Sequence, residues 1–314
     1  MDGSVDSCTH IDRALAALGC TRWVATTMSA GAFELSEVLT AISSFAAGRE
    51  SGLAGVHLEG PFISPARRGA QPAESIRMPS LFELERCHLT LGPLLRRITL
   101  APELPDAGDL IAFCRRYGIH VSLGHSDANT EEAQRAFDAG AEQVTHLYNG
   151  MSGLDHRRPG LALAALTHPG VVVEIIADGV HVHPAMIQLA RRLKGPRGVM
   201  LVTDAMRAAQ MRDGTYDLGG QPIDVVKGIA RTSEGNLAGS TLTLMEAVFK
   251  YQRFTGVELF EAVRAASLVP ARALTLPEVG VLEPGYRADA ALVDRHGRVH
   301  RTWRDGQVVF LKQD

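Results

Sequence analysis

Five short apolar runs of the chain each end in a carboxylate or an imidazole. These ends are Glu59, His125, His146, His181 and Asp204. A glutamate with two histidines and an open fourth position is typical of catalytic zinc, and manganese or iron accepts a similar mixture of ligands. If the ends meet at one place, the sequence predicts a divalent metal site built from a glutamate and two or three histidines, with an aspartate beside it.

A single histidine at the end of a strand is more often a hydrogen-bonded structural residue than a ligand. Five such endings in one chain favour a functional site. His57 shares a strand face with Glu59 but lies deeper, which indicates a supporting role. His183 stands directly before Pro184 and is interpreted as a helix-start residue.

Apolar runs rich in Val, Ile and Leu alternate with helix-like segments, which is typical of βα units around a parallel sheet. Predicted strands are Arg22–Met28, Gly55–Glu59, Arg97–Ala101, His120–Gly124, Gln143–His146, Val171–Ile176 and Val199–Asp204. Predicted helices are Thr9–Leu18, Glu34–Ala47, Asp106–Tyr117, Thr130–Ala139, Pro184–Lys194, Leu242–Phe254 and Glu258–Ala266. The sheet pattern is predicted to stop after the seventh strand.

A (β/α)8 barrel needs eight strands and gathers its chemistry at their carboxyl ends. The chain begins on a predicted helix, so the strand that is missing from the pattern would be the first. Turn pairs such as Pro284-Gly285 and Asp305-Gly306 separate short alternating runs in Gly280–Gln313, which predicts an antiparallel β appendage. We therefore expect an α/β fold, a TIM-like barrel lacking its first strand in residues 1–277, with a small β domain remnant in residues 278–314.

The composition favours a small-molecule partner. The 314 residues are 46% apolar and 21% charged with a net charge of −3, which indicates neither a nucleic-acid groove nor an anionic membrane surface. No apolar stretch approaches the roughly 18 residues of a membrane span, and the N-terminus carries Asp2 and Asp6 instead of a basic signal region. Four cysteines lack CxxC spacing. We expect a cytoplasmic protein.

Six ordered motifs carry a resemblance to a known family. They are His57-Leu58-Glu59-Gly60-Pro61-Phe62, Leu100-Ala101-Pro102-Glu103, Gly124-His125-Ser126-Asp127-Ala128, Thr145-His146-Leu147-Tyr148-Asn149-Gly150-Met151, Ala177-Asp178-Gly179-Val180-His181 and Val202-Thr203-Asp204-Ala205. In order and spacing the chain resembles the N-acetylglucosamine-6-phosphate deacetylases of the amidohydrolase superfamily. The resemblance extends through Gly239-Ser240-Thr241-Leu242-Thr243 to the C-terminal tail and covers nearly the whole chain.

The resemblance implies roles for particular residues. It makes Glu59, His125 and His146 the ligands of one divalent metal ion per chain, zinc before manganese, iron or cobalt, and it makes Asp204 the catalytic acid/base. It places around the sugar phosphate Ala70, Gln71, Asn149, Gly150, Arg157, Asp178, Gly179, Val180, His181, Leu237, Ala238 and Gly239. The Arg157 guanidinium matches phosphate geometry, whereas without the resemblance it would be interpreted as an exposed loop arginine.

The implied reaction is hydrolysis of the acetamide to glucosamine 6-phosphate and acetate, with a homodimer as the expected assembly. The chain departs from the family at two points. Some members have histidine where Gln71 stands, and an amide donates a hydrogen bond without carrying positive charge. Relatives also begin with a strand bearing a His-x-His or Gln-x-Asn pair, which has no counterpart here.

Two other hypotheses stay open from the sequence. One is a non-catalytic or truncated sugar-phosphate-binding relative that keeps the pocket without turnover. The other is a different amidohydrolase, acting on an N-acyl amino acid or a cyclic amide. Dependence of the activity on the substrate phosphate would distinguish the sugar-phosphate deacetylase from this second hypothesis, because Arg157 and His181 would have no phosphate to bind on an uncharged substrate.

Overall fold

The computed structural model describes residues 3–48 and 50–313. Its centre is a parallel sheet whose seven strands follow one another in chain order. The strands are β1 Trp23–Thr27, β2 Leu53–Glu59, β3 Leu95–Leu100, β4 His120–Leu123, β5 Gln143–Val144, β6 Val172–Ile175 and β7 Val199–Leu201. All seven predicted strands are confirmed, with ends that differ by a few residues, and the polar residues that close β5 and β7 in the prediction lie in loops instead.

Ten helices cover the outside of this sheet within the described ranges. They are α1 Val5–Ala17, α2 Ala32–Gly48, α3 Leu81–Leu91, α4 Ala107–Tyr117, α5 Thr130–Ala139, α6 Leu161–Thr167, α7 Pro184–Lys194, α8 Leu244–Thr255, α9 Leu259–Ala266 and α10 Leu268–Ala273. Short 3-10 segments occupy Pro65–Arg67, Ala73–Ser75, Gly92–Leu94 and Gly195–Arg197. Seven of the ten helices were predicted, and those missed are α3, α6 and α10.

Helix ends follow from local capping chemistry. The Asn129 side chain accepts a hydrogen bond from the Glu132 N–H, and Glu132 reaches back to the Asn129 N–H, a capping box that starts α5 at its predicted residue. The His183 ring accepts from the Ala185 N–H at the start of α7, which confirms it as a helix-start residue. The overlooked helix α3 carries the same kind of signal, because Ser80 accepts from the Glu83 N–H.

The parallel sheet is curled but open in the part of the chain that is described. β1 pairs with β2 alone and β7 with β6 alone, so these two strands are edges facing a gap. This is the predicted barrel that lacks one strand. Trp23, Ala25 and Leu201 line the cavity that occupies the gap.

A three-stranded antiparallel sheet between β7 and α8 was not predicted, although the parallel sheet itself stops at the seventh strand as expected. Its strands are β8 Gly214–Leu218, β9 Gln221–Val226 and β10 Ile229–Thr232. Its turns at Gly219-Gly220 and Lys227-Gly228 have positive φ throughout, as two-residue hairpins favour. Ile223 and Val225 alternate inward into a small separate core, so the period-two signal was present in the sequence.

The predicted C-terminal appendage is an antiparallel sheet of β11 Ala290–Val293, β12 Val299–Arg304 and β13 Gln307–Leu311. It is tied to the N-terminal helix α1. Arg304 forms an ion pair with Asp12 at 2.7 Å, and the Thr302 hydroxyl donates to the Ala16 carbonyl at 2.7 Å. The boundary at residue 277 stays a prediction. Among the described helices, none is long and apolar enough to cross a lipid bilayer.

The open edges predict a pattern of amide hydrogen exchange. N–H groups of β1 and β7 that point into the gap lack ladder partners, so we expect them to exchange at least about tenfold faster than those of β3 and β4. Residue-resolved exchange measured by NMR checks this. Equal protection across β1, β4 and β7 would contradict an open sheet.

Candidate functional site

The carboxyl ends of β2, β4 and β5 bring one glutamate and two histidines together. Glu59 closes β2, while His125 and His146 lie two residues beyond the ends of β4 and β5, and their ligand atoms all lie within 4.8 Å of one another. His125 Nε2 is 2.9 Å and His146 Nε2 is 3.4 Å from Glu59 Oε1. All three side chains are buried. The structure thus brings together the three predicted metal ligands.

The two imidazoles present their Nε2 atoms to the same point. His125 Nδ1 lies 2.9 Å from the Arg67 carbonyl and His146 Nδ1 lies 3.2 Å from the Asn149 carbonyl, so each Nδ1 carries the donated proton. In a neutral ring of this tautomer the Nε2 lone pair is free for a cation, whereas a second proton on Nε2 lets the ring donate to Glu59; the two Nε2 atoms are 3.1 Å apart. Two lone pairs and a carboxylate oxygen directed at one point form a donor set that suits a divalent cation.

Positive φ angles aim these side chains. His125, His146 and Asp204 have φ values of 47°, 31° and 50°, in the left-handed region that residues other than glycine rarely adopt. Such conformations cost about 1–3 kcal/mol each and persist where the surroundings hold them, which is common at functional sites. These three residues follow β4, β5 and β7 and line the cavity, whereas other non-glycine residues with positive φ, such as Asp106 and Asp305, lie outside its lining.

Glu59 dominates the electrostatics of the cluster. Burial opposes its ionisation, but hydrogen bonds from His125 and His146 hold the pKa of the Glu59 carboxyl well below its usual range. Burial likewise disfavours the charged form of His146, and the Glu59 carboxylate more than offsets this and raises the pKa of His146 to about 9. The cluster is therefore strongly selective for positive charge, which a proton or a metal ion supplies.

Asp204 follows β7 and faces the same cavity. Burial, followed by repulsion from Glu59, raises the pKa of the Asp204 carboxyl to about 6. A carboxyl group with a pKa close to neutrality can both take up and release a proton during a reaction. The geometry is that of a proton-transfer group beside the cluster.

Asp178 and His181 form a second, smaller unit in the loop after β6. His181 Nδ1 donates to Asp178 Oδ2 at 2.6 Å, while Asp178 Oδ1 accepts the N–H groups of Val180 and His181 at 2.7 and 2.8 Å. Burial opposes ionisation of Asp178, but these bonds lower the pKa of its carboxyl. His181 lines the cavity with Nε2 as the ring atom left for a ligand.

Gln71 lies against the cluster. Its Oε1 accepts the Ser29 N–H at 2.8 Å, which fixes the amide so that Nε2 donates to Glu59 Oε1 at 3.2 Å. The resemblance implied that Gln71 contacts the substrate. The structure adds a direct hold on the buried carboxylate, a contact between residues twelve positions apart that no local pattern indicates.

These residues line a cavity of about 2790 Å³. Its volume exceeds the 300–1,000 Å³ of common ligand sites because it continues into the gap between β1 and β7. The predicted residues in its lining are Glu59, Ala70, Gln71, His125, His146, Asn149, Gly150, His181, Asp204, Leu237 and Gly239. Tyr148, Arg207 and Asn236 also line it and were not predicted.

The remaining predicted residues lie outside this lining. Asp178 acts on His181, Gly179 and Val180 are exposed in the same loop, and Ala238 is buried in the small core of β8–β10. Arg157 is exposed on a loop, where its N–H donates to Asp155 at 2.8 Å. The structure does not bring Arg157 to the cavity of its own chain.

Two buried charges below the cluster were also missed. Arg97 in β3 and Glu174 in β6 form an ion pair inside the sheet, and Glu174 contacts the His146 backbone. The signal was a charged residue inside an otherwise apolar strand, since such residues are seldom buried unless paired.

Comparisons with known proteins agree with this geometry. The amidohydrolase family model matches residues 3–309. The chain is 41% identical over 99% of its length to N-acetylglucosamine-6-phosphate deacetylase of Vibrio furnissii, covering 78% of that protein. It is 39% identical to N-acetylgalactosamine-6-phosphate deacetylase of Escherichia coli O157:H7, over 98% of this chain and 82% of the relative.

A solved structure matches nearly the whole of this chain. It is a point mutant of N-acetyl-D-glucosamine-6-phosphate deacetylase from Mycobacterium smegmatis in complex with N-acetyl-D-glucosamine-6-phosphate, and it superimposes with a TM-score of 0.93 at 36% identity. The alignment covers 98% of this chain and 81% of that one. The chain belongs to the amidohydrolase family and, within it, to the N-acetylglucosamine-6-phosphate deacetylases.

Proposed function

We propose that this protein hydrolyses N-acetyl-D-glucosamine 6-phosphate to D-glucosamine 6-phosphate and acetate in a metal-dependent reaction. The observation that carries the proposal is the cluster of Glu59, His125 and His146 with Asp204 beside it, in a chain 41% identical to a deacetylase of this name. Cys20, Cys87 and Cys114 are free and buried, which suits a reducing compartment and supports a cytoplasmic location. A homodimer is the proposed assembly.

Glu59, His125 and His146 would hold one divalent cation, for which we propose zinc, with manganese, iron and cobalt as chemically acceptable substitutes. When bound, such an ion lowers the pKa of water from 15.7 toward about 7 and polarises a carbonyl group. The two Nδ1–H bonds to backbone carbonyls keep both imidazoles in the tautomer that this role needs.

Asp204 accepts the proton of the attacking water. Its carboxyl, with a pKa raised to about 6, is mostly ionised at neutral pH and remains basic enough to take a proton. The same group then delivers that proton to the departing amine. One residue thus serves both halves of the amide hydrolysis.

His181 orients the acetamide. The Asp178 carboxylate accepts the His181 Nδ1–H, which fixes the ring so that Nε2 faces the acetamide oxygen; with a proton on Nε2 as well, the ring would donate to that oxygen as negative charge develops there. Ala70, Asn149, Gly150, Leu237 and Gly239 line the space that the sugar would occupy. Gln71 steadies Glu59 and offers a neutral donor on the same side.

The assay that tests the proposal measures acetate release with added zinc. The substrates are N-acetylglucosamine 6-phosphate, its unphosphorylated form and N-acetylgalactosamine 6-phosphate, the last because of the 39% identical relative. We expect the phosphorylated glucosamine derivative to be preferred. Binding without acetate release by the metal-loaded protein would support a non-catalytic relative instead.

Loss of either proposed ligand should release the metal. In His125→Ala or His146→Ala the site keeps two protein ligands, so we expect metal content after dialysis to fall from about one ion per chain to a small fraction of that. Elemental analysis measures it. His183→Ala is the matched control, since this exposed helix-start residue lies away from the cluster and should leave metal content unchanged. Full metal retention in both ligand variants would disprove the assignment.

Asp204→Asn should keep the metal and lose turnover. The amide cannot accept the proton of water, and loss of a general acid/base typically costs about 10²–10⁴-fold in rate. Steady-state acetate release, paired with metal analysis of the same sample, checks this. A near-native rate would remove Asp204 from the proposed mechanism.

We propose that Arg157 binds the substrate phosphate across a subunit interface, because it lies outside its own cavity. Arg157→Ala should raise the KM for the phosphorylated sugar about tenfold or more, since a charge-assisted hydrogen bond is lost. The KM for unphosphorylated N-acetylglucosamine should stay unchanged. Arg158→Ala, its exposed neighbour, is the control; equal effects on both substrates would contradict a phosphate role.

A further inference from the structure

A layer of buried polar side chains crosses the interior of the sheet beneath the metal-ligand cluster. Its members are the buried residues His57, Arg97, Thr99, Ser122, Thr145 and Glu174 and the half-buried Thr26. They come from β1, β2, β3, β4, β6 and the residue after β5. Burying charges away from water is costly unless they are paired, so the layer needs a reason.

The ion pair of Arg97 and Glu174 is the charged centre of this layer. Arg97 Nη1 contacts Glu174 Oε1, and the other carboxylate oxygen, Oε2, accepts the backbone N–H of His146 at 3.3 Å. The Glu174 carbonyl accepts the N–H of Leu147 at 2.9 Å. One residue of β6 thereby holds two successive backbone groups at the turn that carries His146.

Arg97 also binds the residue before that ligand. Its Nη2 donates to Thr145 Oγ1 at 3.0 Å and to Ser122 Oγ at 2.7 Å. A guanidinium has only donors, so both hydroxyls must accept from it and direct their own protons elsewhere. The Ser122 and Thr145 hydroxyls lie 2.6 Å apart, and Thr145 and Thr99 also lie 2.6 Å apart.

When each hydroxyl donates one hydrogen bond, all the bonds of this chain point in the same direction. Ser122 donates to Thr145, Thr145 to Thr99, and Thr99 to His57 Nε2 at 2.7 Å. His57 Nδ1 lies 3.3 Å from Thr26 Oγ1, so with the ring proton on Nδ1 the Nε2 atom can accept from Thr99. The Arg97 charge thus fixes the direction of the hydrogen bonds in the layer. His57 accepts the last of these bonds, which agrees with the supporting role predicted from its position on β2.

The ladder around His146 is too short to hold it alone. β5 has two residues, and its pairing with β4 and β6 ends at Val144. His146 lies two residues beyond, with a φ of 31°. A left-handed residue outside the ladder needs restraint from its surroundings.

We propose that Arg97 and Glu174 are positioning residues that hold the Thr145–His146 backbone so that His146 Nε2 faces Glu59. The inference rests on the proposed metal-dependent function and deepens it. A purely structural ion pair would affect stability alone, whereas a positioning pair sets metal affinity and ligand geometry. Partners of metal ligands typically change affinity by about 10–100-fold when removed.

The test is Glu174→Gln in the full chain. We expect about 10–100-fold weaker Zn²⁺ binding in competition with a chelator, and altered visible absorption bands of the Co²⁺-substituted protein. Asp12→Asn is the matched control, because it weakens another largely buried pair, Asp12 with Arg304, away from the cluster. The control should lower the Tm and leave Zn²⁺ affinity and the Co²⁺ spectrum unchanged.

Arg97→Lys provides a second, milder variant should Glu174→Gln fail to fold. A lysine keeps positive charge beside Glu174 but cannot also reach the Ser122 and Thr145 hydroxyls in the same fork. We expect a folded protein with Zn²⁺ affinity several-fold weaker and a shifted Co²⁺ spectrum.

Unchanged Zn²⁺ affinity and Co²⁺ spectrum in the folded variants would overturn the inference and leave the proposed function intact. An equal loss of affinity in Asp12→Asn would overturn it too, because affinity would then follow global stability. A wild-type protein that binds no metal would overturn the proposed function and the inference together.

Discussion

The burial of one carboxylate and two imidazoles at a single point is the constraint on which the arrangement of side chains at the carboxyl ends of the strands depends. Glu59, His125 and His146 lose hydration there, and fixed polar groups replace it: backbone carbonyls accept both ring N–H groups, and Gln71 donates to the carboxylate. These contacts fix the orientation of the three side chains but leave an electrostatic potential at the Nε2 atoms that favours positive charge. The proposed divalent cation would satisfy that field and supply the chemistry of amide hydrolysis.

Holding such a cluster requires backbone conformations that strands do not supply. His125 and His146 turn into left-handed conformations two residues beyond the ends of β4 and β5. The polar layer beneath them takes the place of the apolar layers that usually fill a TIM-like barrel. Arg97 and Glu174, which are 77 residues apart in the sequence, join β3 to β6. The sheet interior here therefore contains polar contacts in place of apolar packing, and we propose that these contacts orient the ligands.

Local sequence patterns predicted most of the fold. Apolar runs bounded by turns identify the seven parallel strands, and the capping box at Asn129 identifies α5 to the residue. The candidate ligands were predictable because the carboxyl ends of parallel strands converge. The contacts of Gln71 with Ser29, and of Glu174 with Arg97, were not, because each joins distant residues through space. The strands β8–β10 were overlooked although Ile223 and Val225 show the required alternation.

The open edge of the sheet affects Asp204 differently from the cluster of Glu59, His125 and His146. Glu59, His125 and His146 follow strands β2, β4 and β5, which are paired on both sides, whereas Asp204 follows β7, which is paired only with β6. Asp204 is held instead by its backbone carbonyl, which accepts the Ser240 N–H at 2.7 Å, and by the return bond from Met206 N–H to Ser240 at 2.9 Å. The proposed metal ligands thus lie on strands that are paired on both sides, while the proposed proton-transfer group depends on a loop contact at the edge of the sheet. Motion of that edge would therefore displace Asp204 before it displaced the cluster of Glu59, His125 and His146.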